Sequence, residues 1–165
     1  DAYDKISQTK ARVIICKNNI DLDKKILDRK CCILTSNPKY IFTKIVNREI
    51  PAYIVAEDEN YLAFLDINPL AKAHTLVIPK KEVSYIFDLD DESLAGLWIF
   101  AKKIAKAIDK YMQGEAIRTG VAVVGLEVPH AHIHLVPIKN ITDIDFAKPK
   151  LKFSSEELQN IAEGI

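Results

Sequence analysis

Residues 130–137 read His-Ala-His-Ile-His-Leu-Val-Pro, and this run narrows the possible folds more than any other in the chain. Polar and apolar side chains alternate with the period of a β-strand. His130, His132 and His134 therefore share one face, about 6.6 Å apart in succession, while Ala131, Ile133 and Leu135 occupy the other. One face can pack on a core and the other carries chemistry. The structural alternative is a row of histidines that only hydrogen-bond inside the protein, a costly use of buried polar side chains.

The rest of the chain supplies neighbours for that strand. Residues 41–47 are amphipathic and read as a short helix, closed before Pro51 because the residue preceding proline avoids helical geometry. Tyr53-Ile54-Val55-Ala56 and Tyr61-Leu62-Ala63-Phe64-Leu65 flank the polar Glu57-Asp58-Glu59-Asn60 and read as a hairpin. Asp66-Ile67-Asn68-Pro69 is a turn signature, followed by a buried strand over 74–79. Asp88 to Asp91 offer caps for a long helix, Asp91–Tyr111, with apolar residues at 94, 97, 98, 101, 104, 105, 108 and 111. Gly114 stands where a helix C-terminal glycine belongs. Strands are expected over 120–124 and 130–138, and Ser154-Ser155-Glu156-Glu157 has capping-box spacing for a short helix to about Ala162. The sum is an α+β domain: a mainly antiparallel five-stranded sheet with one long helix and short flanking helices.

The 165 residues suit one compact domain with a real core, and 48% are hydrophobic, which argues against wholesale disorder. No apolar stretch approaches the ~20 residues that span a bilayer, and no secretory leader is expected. Lys plus Arg and Asp plus Glu each number 23, so no surplus of positive charge favours capture of nucleic acid. The zero is an average: residues 1–40 hold nine Lys or Arg against five Asp, with no Gly, and the remainder holds fourteen basic against eighteen acidic residues. Residues 1–40 are accordingly read as an extension, 41–146 as the domain and 147–165 as a tail. Cys16, Cys31 and Cys32 form no C-x-x-C pair and have no nearby His, so the expectation is a reducing cytoplasm and no zinc site there.

Two chemistries suit the histidine row. H-x-H can hold Zn²⁺, with His74 or a carboxylate as a further ligand. Alternatively, a neutral imidazole attacks phosphorus and leaves again, while its neighbours bind the phosphoryl oxygens and protonate the leaving group, with no metal required.

The run His130-Ala131-His132-Ile133-His134-Leu135-Val136 resembles the signature of the histidine triad (HIT) superfamily. Three upstream stretches resemble its Hint branch in order and spacing: Ile41 to Ala52, Ala63-Phe64-Leu65-Asp66-Ile67-Asn68-Pro69, and Ala73-His74-Thr75-Leu76-Val77-Ile78-Pro79-Lys80-Lys81. The resemblance implies the HIT fold over residues 41–146. It implies hydrolysis at the α-phosphate of nucleoside 5′-phosphoramidates or related nucleotides through a covalent nucleotidyl-His132. Dinucleoside polyphosphate hydrolysis and a slow-turnover nucleotide-binding scaffold are the alternatives. It further implies purine nucleotide conjugates as substrates, no cofactor, no membrane or nucleic-acid partner, and a homodimer built on the Asp91–Tyr111 helix, with Trp98 as dimer anchor or core residue.

By the same resemblance His134 binds the phosphate and helps protonate the leaving group, and His130 with His74 forms a buried polar relay. Asp66 binds the ribose hydroxyls, and Ile41, Ile45, Phe64 and Ile67 line the nucleoside pocket. Read from the residues alone, His74 is equally a satisfied buried histidine, Asp66 an Asx turn before Pro69, and the four apolar residues ordinary core. The chain departs from the family at Ala122, where relatives carry Asn, and at Glu127, where they carry Gln, Ser or Thr. A carboxylate there repels a phosphate unless protonated or paired; it could contact a leaving amine or stay solvated. Relatives that bind structural zinc have Cys at the positions of Tyr40 and Thr43 and His at that of Glu82, so no metal is expected there.

Overall fold

The computed structural model describes residues 40–165. The expected extension lies outside the described residues except for Tyr40, as do its three cysteines. In chain order the elements are α1 (Ile41–Val46), β1 (Ile54–Glu57), β2 (Tyr61–Leu65), β3 (Thr75–Pro79), α2 (Asp91–Tyr111), β4 (Arg118–Ala122), β5 (Ile133–Ile138) and α3 (Ser155–Gly164), with single 3-10 turns at Ile86–Asp88 and Ile141–Asp143. The strands form one sheet in the order β1-β2-β3-β5-β4, every neighbouring pair antiparallel. This is the expected α+β architecture.

Central strands β3 and β5 are buried nearly throughout, whereas edge strand β4 alternates between exposed and half-buried positions. Helix α2 begins where the Asp90 side chain accepts the Ser93 N–H, which satisfies an amide that no helical carbonyl reaches. It buries Leu97, Phe100, Ala101, Ile104 and Ile108. Trp98 falls beside that stripe and is 42% exposed, so it is not a core residue of the subunit. Helix α3 opens on the Ser154–Glu157 capping box and sinks Leu158, Ile161 and Ala162 into the same core as the sheet.

β1 and β3 differ from the sequence expectation by one residue, and β4 and β5 by more. β4 starts at Arg118, two residues early, because its ladder with β5 runs from Arg118↔Ile138 to Ala122↔His134. β5 starts at Ile133, not at His130. The Ala131 N–H goes instead to the Val83 carbonyl at 2.7 Å and the His130 N–H to the Val128 carbonyl at 2.9 Å, so the first two histidines lie in a lead-in outside the ladder.

Candidate active site

Residues paired across a sheet point to the same side. The row Phe64↔Leu76↔His134↔Ala122 therefore shares one face of the sheet, and its first three members line a cleft of about 310 Å³. Phe42 and Ile45 of α1 close one side, residues 124–128 another, and Phe146 with Lys150 a third; no residue of α2 lines it. The Phe42 ring stands edge-on to His132 at 5.3 Å, to His130 at 5.8 Å and to Phe64 at 5.4 Å. Helix α1 thus packs one wall of the cleft against the histidines.

Backbone groups fix the protons of the four imidazoles. A carbonyl only accepts, so the His132 Nδ1, 2.6 Å from the His130 carbonyl, carries the hydrogen and leaves Nε2 bare. The His130 Nε2 likewise donates to the Pro79 carbonyl at 2.7 Å, which leaves its buried Nδ1 without a partner. An amide only donates: Leu70 N–H points at the His74 Nδ1 at 3.0 Å, so the proton of His74 sits on Nε2. That nitrogen faces the His134 Nδ1 at 3.0 Å, and His134 in turn holds its proton on Nε2. The two rings nearest each other in the cleft, His132 and His134 with centroids 4.8 Å apart, hence offer a lone pair and an N–H side by side. The backbone aims His74 through Ala73, whose φ of 67° is a strained choice for a residue with a Cβ.

Burial keeps these rings neutral. Desolvation lowers the pKa of His74, His130 and His132 against the opposing pull of Asp66 on His74, of the Pro79 carbonyl and Glu82 on His130, and of the His130 carbonyl, Asp66 and Glu127 on His132. Desolvation, then the charges of His132, His74 and Lys150, brings His134 down to about 3. Asp66 uses one oxygen to accept the Asn68 N–H at 2.8 Å, the Asx-turn geometry, and holds the other 3.7 Å from the His74 Nε2.

Of the residues singled out in the sequence, His74, His132, His134, Asp66, Ile45, Phe64, Ile67 and Glu127 line the cleft. Ile41 does not. It is buried in the core; Phe42 and Ile41 both share the helix face of Ile45, three and four residues before it, and it is Phe42 that reaches the cleft. His130 does not line it either, and the expected His130–His74 relay is replaced by a His74–His134 pair, because His130 turns to the Pro79 carbonyl. Helical spacing admits Phe42 and Ile41 alike and does not choose between them; Phe146 and Lys150 come from a loop that carries no local signal of its destination.

Asp66, His74 and His134 form a cluster whose donor atoms lie within 4.8 Å of one another. They do not suit a metal ion, because Leu70 holds the His74 proton on Nε2, the nitrogen a metal would need. The Thr43 hydroxyl donates to the Glu82 carboxylate at 2.6 Å.

The model of the HIT domain matches residues 47–141. The chain is 36% identical over 128 residues to the adenosine 5′-monophosphoramidase of Schizosaccharomyces pombe, covering 76% of this chain and 94% of the yeast protein. Among solved structures it resembles a HIT-like protein from Bartonella henselae, with a TM-score of 0.63, 33% identity and coverage of 75% and 92% of the two chains. A zinc-bound histidine triad family protein from Mycobacterium smegmatis superposes with a TM-score of 0.61 at 30% identity, over 74% of this chain and 92% of its own.

Proposed function

The chain belongs to the HIT domain family, and from that premise we propose that it hydrolyses nucleotides at the α-phosphate, with purine nucleoside 5′-phosphoramidates as the substrate class. The observation that carries this reading is the bare Nε2 of neutral, buried His132 beside the N–H of His134 at the floor of the cleft. The likeness to a phosphoramidase supports it.

In the proposed cycle His132 Nε2 bonds to the α-phosphorus as the P–N bond of the substrate breaks. His134 Nε2–H donates to a phosphoryl oxygen and supplies the proton the departing amine needs. Water then attacks the nucleotidyl-His132; its oxygen and one hydrogen stay on the released nucleoside monophosphate, its other proton returns to His134 Nε2, and both imidazoles are restored. Asp66 takes the ribose hydroxyls, and Phe42, Ile45, Phe64 and Ile67 the base and sugar. No metal takes part. Glu127, which lines the cleft and whose charge reaches His132, favours an amine leaving group over the extra negative charge of a dinucleoside polyphosphate.

A second reading, a nucleotide-binding protein that turns over slowly, is favoured by that same carboxylate and by Ala122, which stands opposite His134 in the ladder with no polar group to offer. The homodimer is proposed on the β4 edge and on the exposed Trp98 and Ile99 of α2. A cytoplasmic location rests on cysteine use; among the described residues no helix is long and apolar enough to cross a membrane.

The deciding experiment is a single turnover with labelled adenosine phosphoramidate, quenched in alkali. A nucleotide adduct on the wild type that His132→Ala loses, together with steady turnover while AMP binding survives, is the expected result. Turnover retained by the variant overturns the nucleophile, and a wild type that binds AMP without adduct or turnover selects the second reading.

A further inference from the structure

Beyond β5 the chain turns back to the cleft. The Asp143 carboxylate accepts the Lys139 and Asn140 N–H groups at 2.7 and 2.8 Å and closes the first turn. Ile144 then lies so close over Gly120 that a Cβ at that position would stand 2.4 Å from its Cδ1. Farther on, the Leu151 N–H donates to the Pro69 carbonyl at 2.9 Å. The segment 139–151 is therefore a strap, fastened to β4 at one end and to the turn that carries Asp66 at the other.

Between these fastenings the strap delivers two side chains to the cleft. Phe146 sets its ring edge-on to His134 with centroids 4.9 Å apart. Lys150 holds its Nζ 5.4 Å over the Phe146 ring and donates to the Phe146 carbonyl at 2.6 Å. Its charge is felt at both His74 and His134.

The charges lining the cleft are unbalanced. Asp66 and Glu127 are carboxylates, the histidines are held neutral, and Lys150 is the one lining side chain among the described residues that is a formal cation. A nucleotide brings at least one further negative charge into a partly desolvated space. Imidazole N–H dipoles alone do not neutralise it, whereas an ammonium with three donors can take a phosphate oxygen and keep its carbonyl bond.

We propose that Lys150, presented by the strap, is the counter-ion of the substrate phosphate and makes the cleft select phosphorylated nucleosides over bare nucleosides. This rests on the nucleotide reading above. The test is calorimetric titration of AMP and of adenosine into wild type, Lys150→Met, which keeps most of the aliphatic stem, and Lys150→Arg. Lys150→Met should weaken AMP about tenfold or more and leave adenosine unchanged, and Lys150→Arg should restore most of the AMP affinity. Equal losses for both ligands would make Lys150 a structural residue, and unchanged AMP affinity with turnover intact would remove its phosphate role; either overturns the proposal alone. A wild type that binds neither ligand and forms no adduct removes the nucleotide reading and the proposal with it.

Discussion

The lone pair of His132 is set by a backbone carbonyl, and the proton of His134 by the His74 ring, which the Leu70 amide orients in turn. Neither ring has to change tautomer before reacting, so no reorganisation is spent on preparing the site. Burial adds a consequence for pH. A free histidine, at its ordinary value of 6.5, is half protonated at that pH, but desolvation lowers His132 and brings His134 to about 3. The nucleophile thus stays neutral to a lower pH than a free imidazole does. The acid limb of the background-corrected rate of phosphoramidate hydrolysis should therefore be centred below 6.5; a limb centred at 6.5 or above would show that His132 is solvated in the working enzyme. The alternation in the sequence brought His132 and His134 within reach of this argument. It could not supply the tautomers, because they are set by the His130 carbonyl for His132 and, through His74, by the Leu70 amide for His134, and the placement of both depends on a turn and on a lead-in outside the ladder.

Elements of the fold show the same division. The bounds of α2 were legible to the residue, since an aspartate cap and an apolar stripe are local signals. Why it carries Gly96 was not. A glycine in a helix interior costs about 1 kcal/mol relative to alanine, yet a Cβ here would stand 2.1 Å from the Tyr61 hydroxyl and 2.9 Å from its ring. That hydroxyl donates to the Ser93 carbonyl at 3.0 Å and pins β2 to the start of α2. Gly96→Ala should therefore lower the melting temperature despite its better helix propensity, and the loss should shrink in a Tyr61→Leu background. A stabilised Gly96→Ala would show that the tyrosine moves aside at little cost. The 139–151 strap is the element furthest from sequence legibility: it is polar, lacks periodicity, and acquires a role only because Ile144 and Leu151 find partners on two other elements.

At the scale of the whole molecule, among the described residues, β4 pairs with β5 alone and leaves its outer edge open. β4 exposes Val121 at 45%, and the residues after it expose Val123 and Val124, an apolar, unpaired strand edge of the kind that another chain can extend. In the proposed dimer this edge is covered, so Val121→Asp should shift the protein to monomer in sedimentation equilibrium; a wild type that sediments as monomer removes the dimer. The neutral total charge has a molecular reading as well. With 23 charges of each sign, the surface gives no broad attraction for phosphate, and any selectivity has to be local, as a single ammonium in a cleft would be. By itself the sequence determined the sheet, the long helix, the alternation that delivers His132 and His134 to one face, and the turn that holds Asp66, because each is written in residues a few positions apart. Only the tertiary structure decided which of Ile41 and Phe42 meets the cleft, that His74 pairs with His134 rather than His130, and that Lys150 stands beside them. Those outcomes depend on contacts between segments distant in the chain, for which a local pattern has no code.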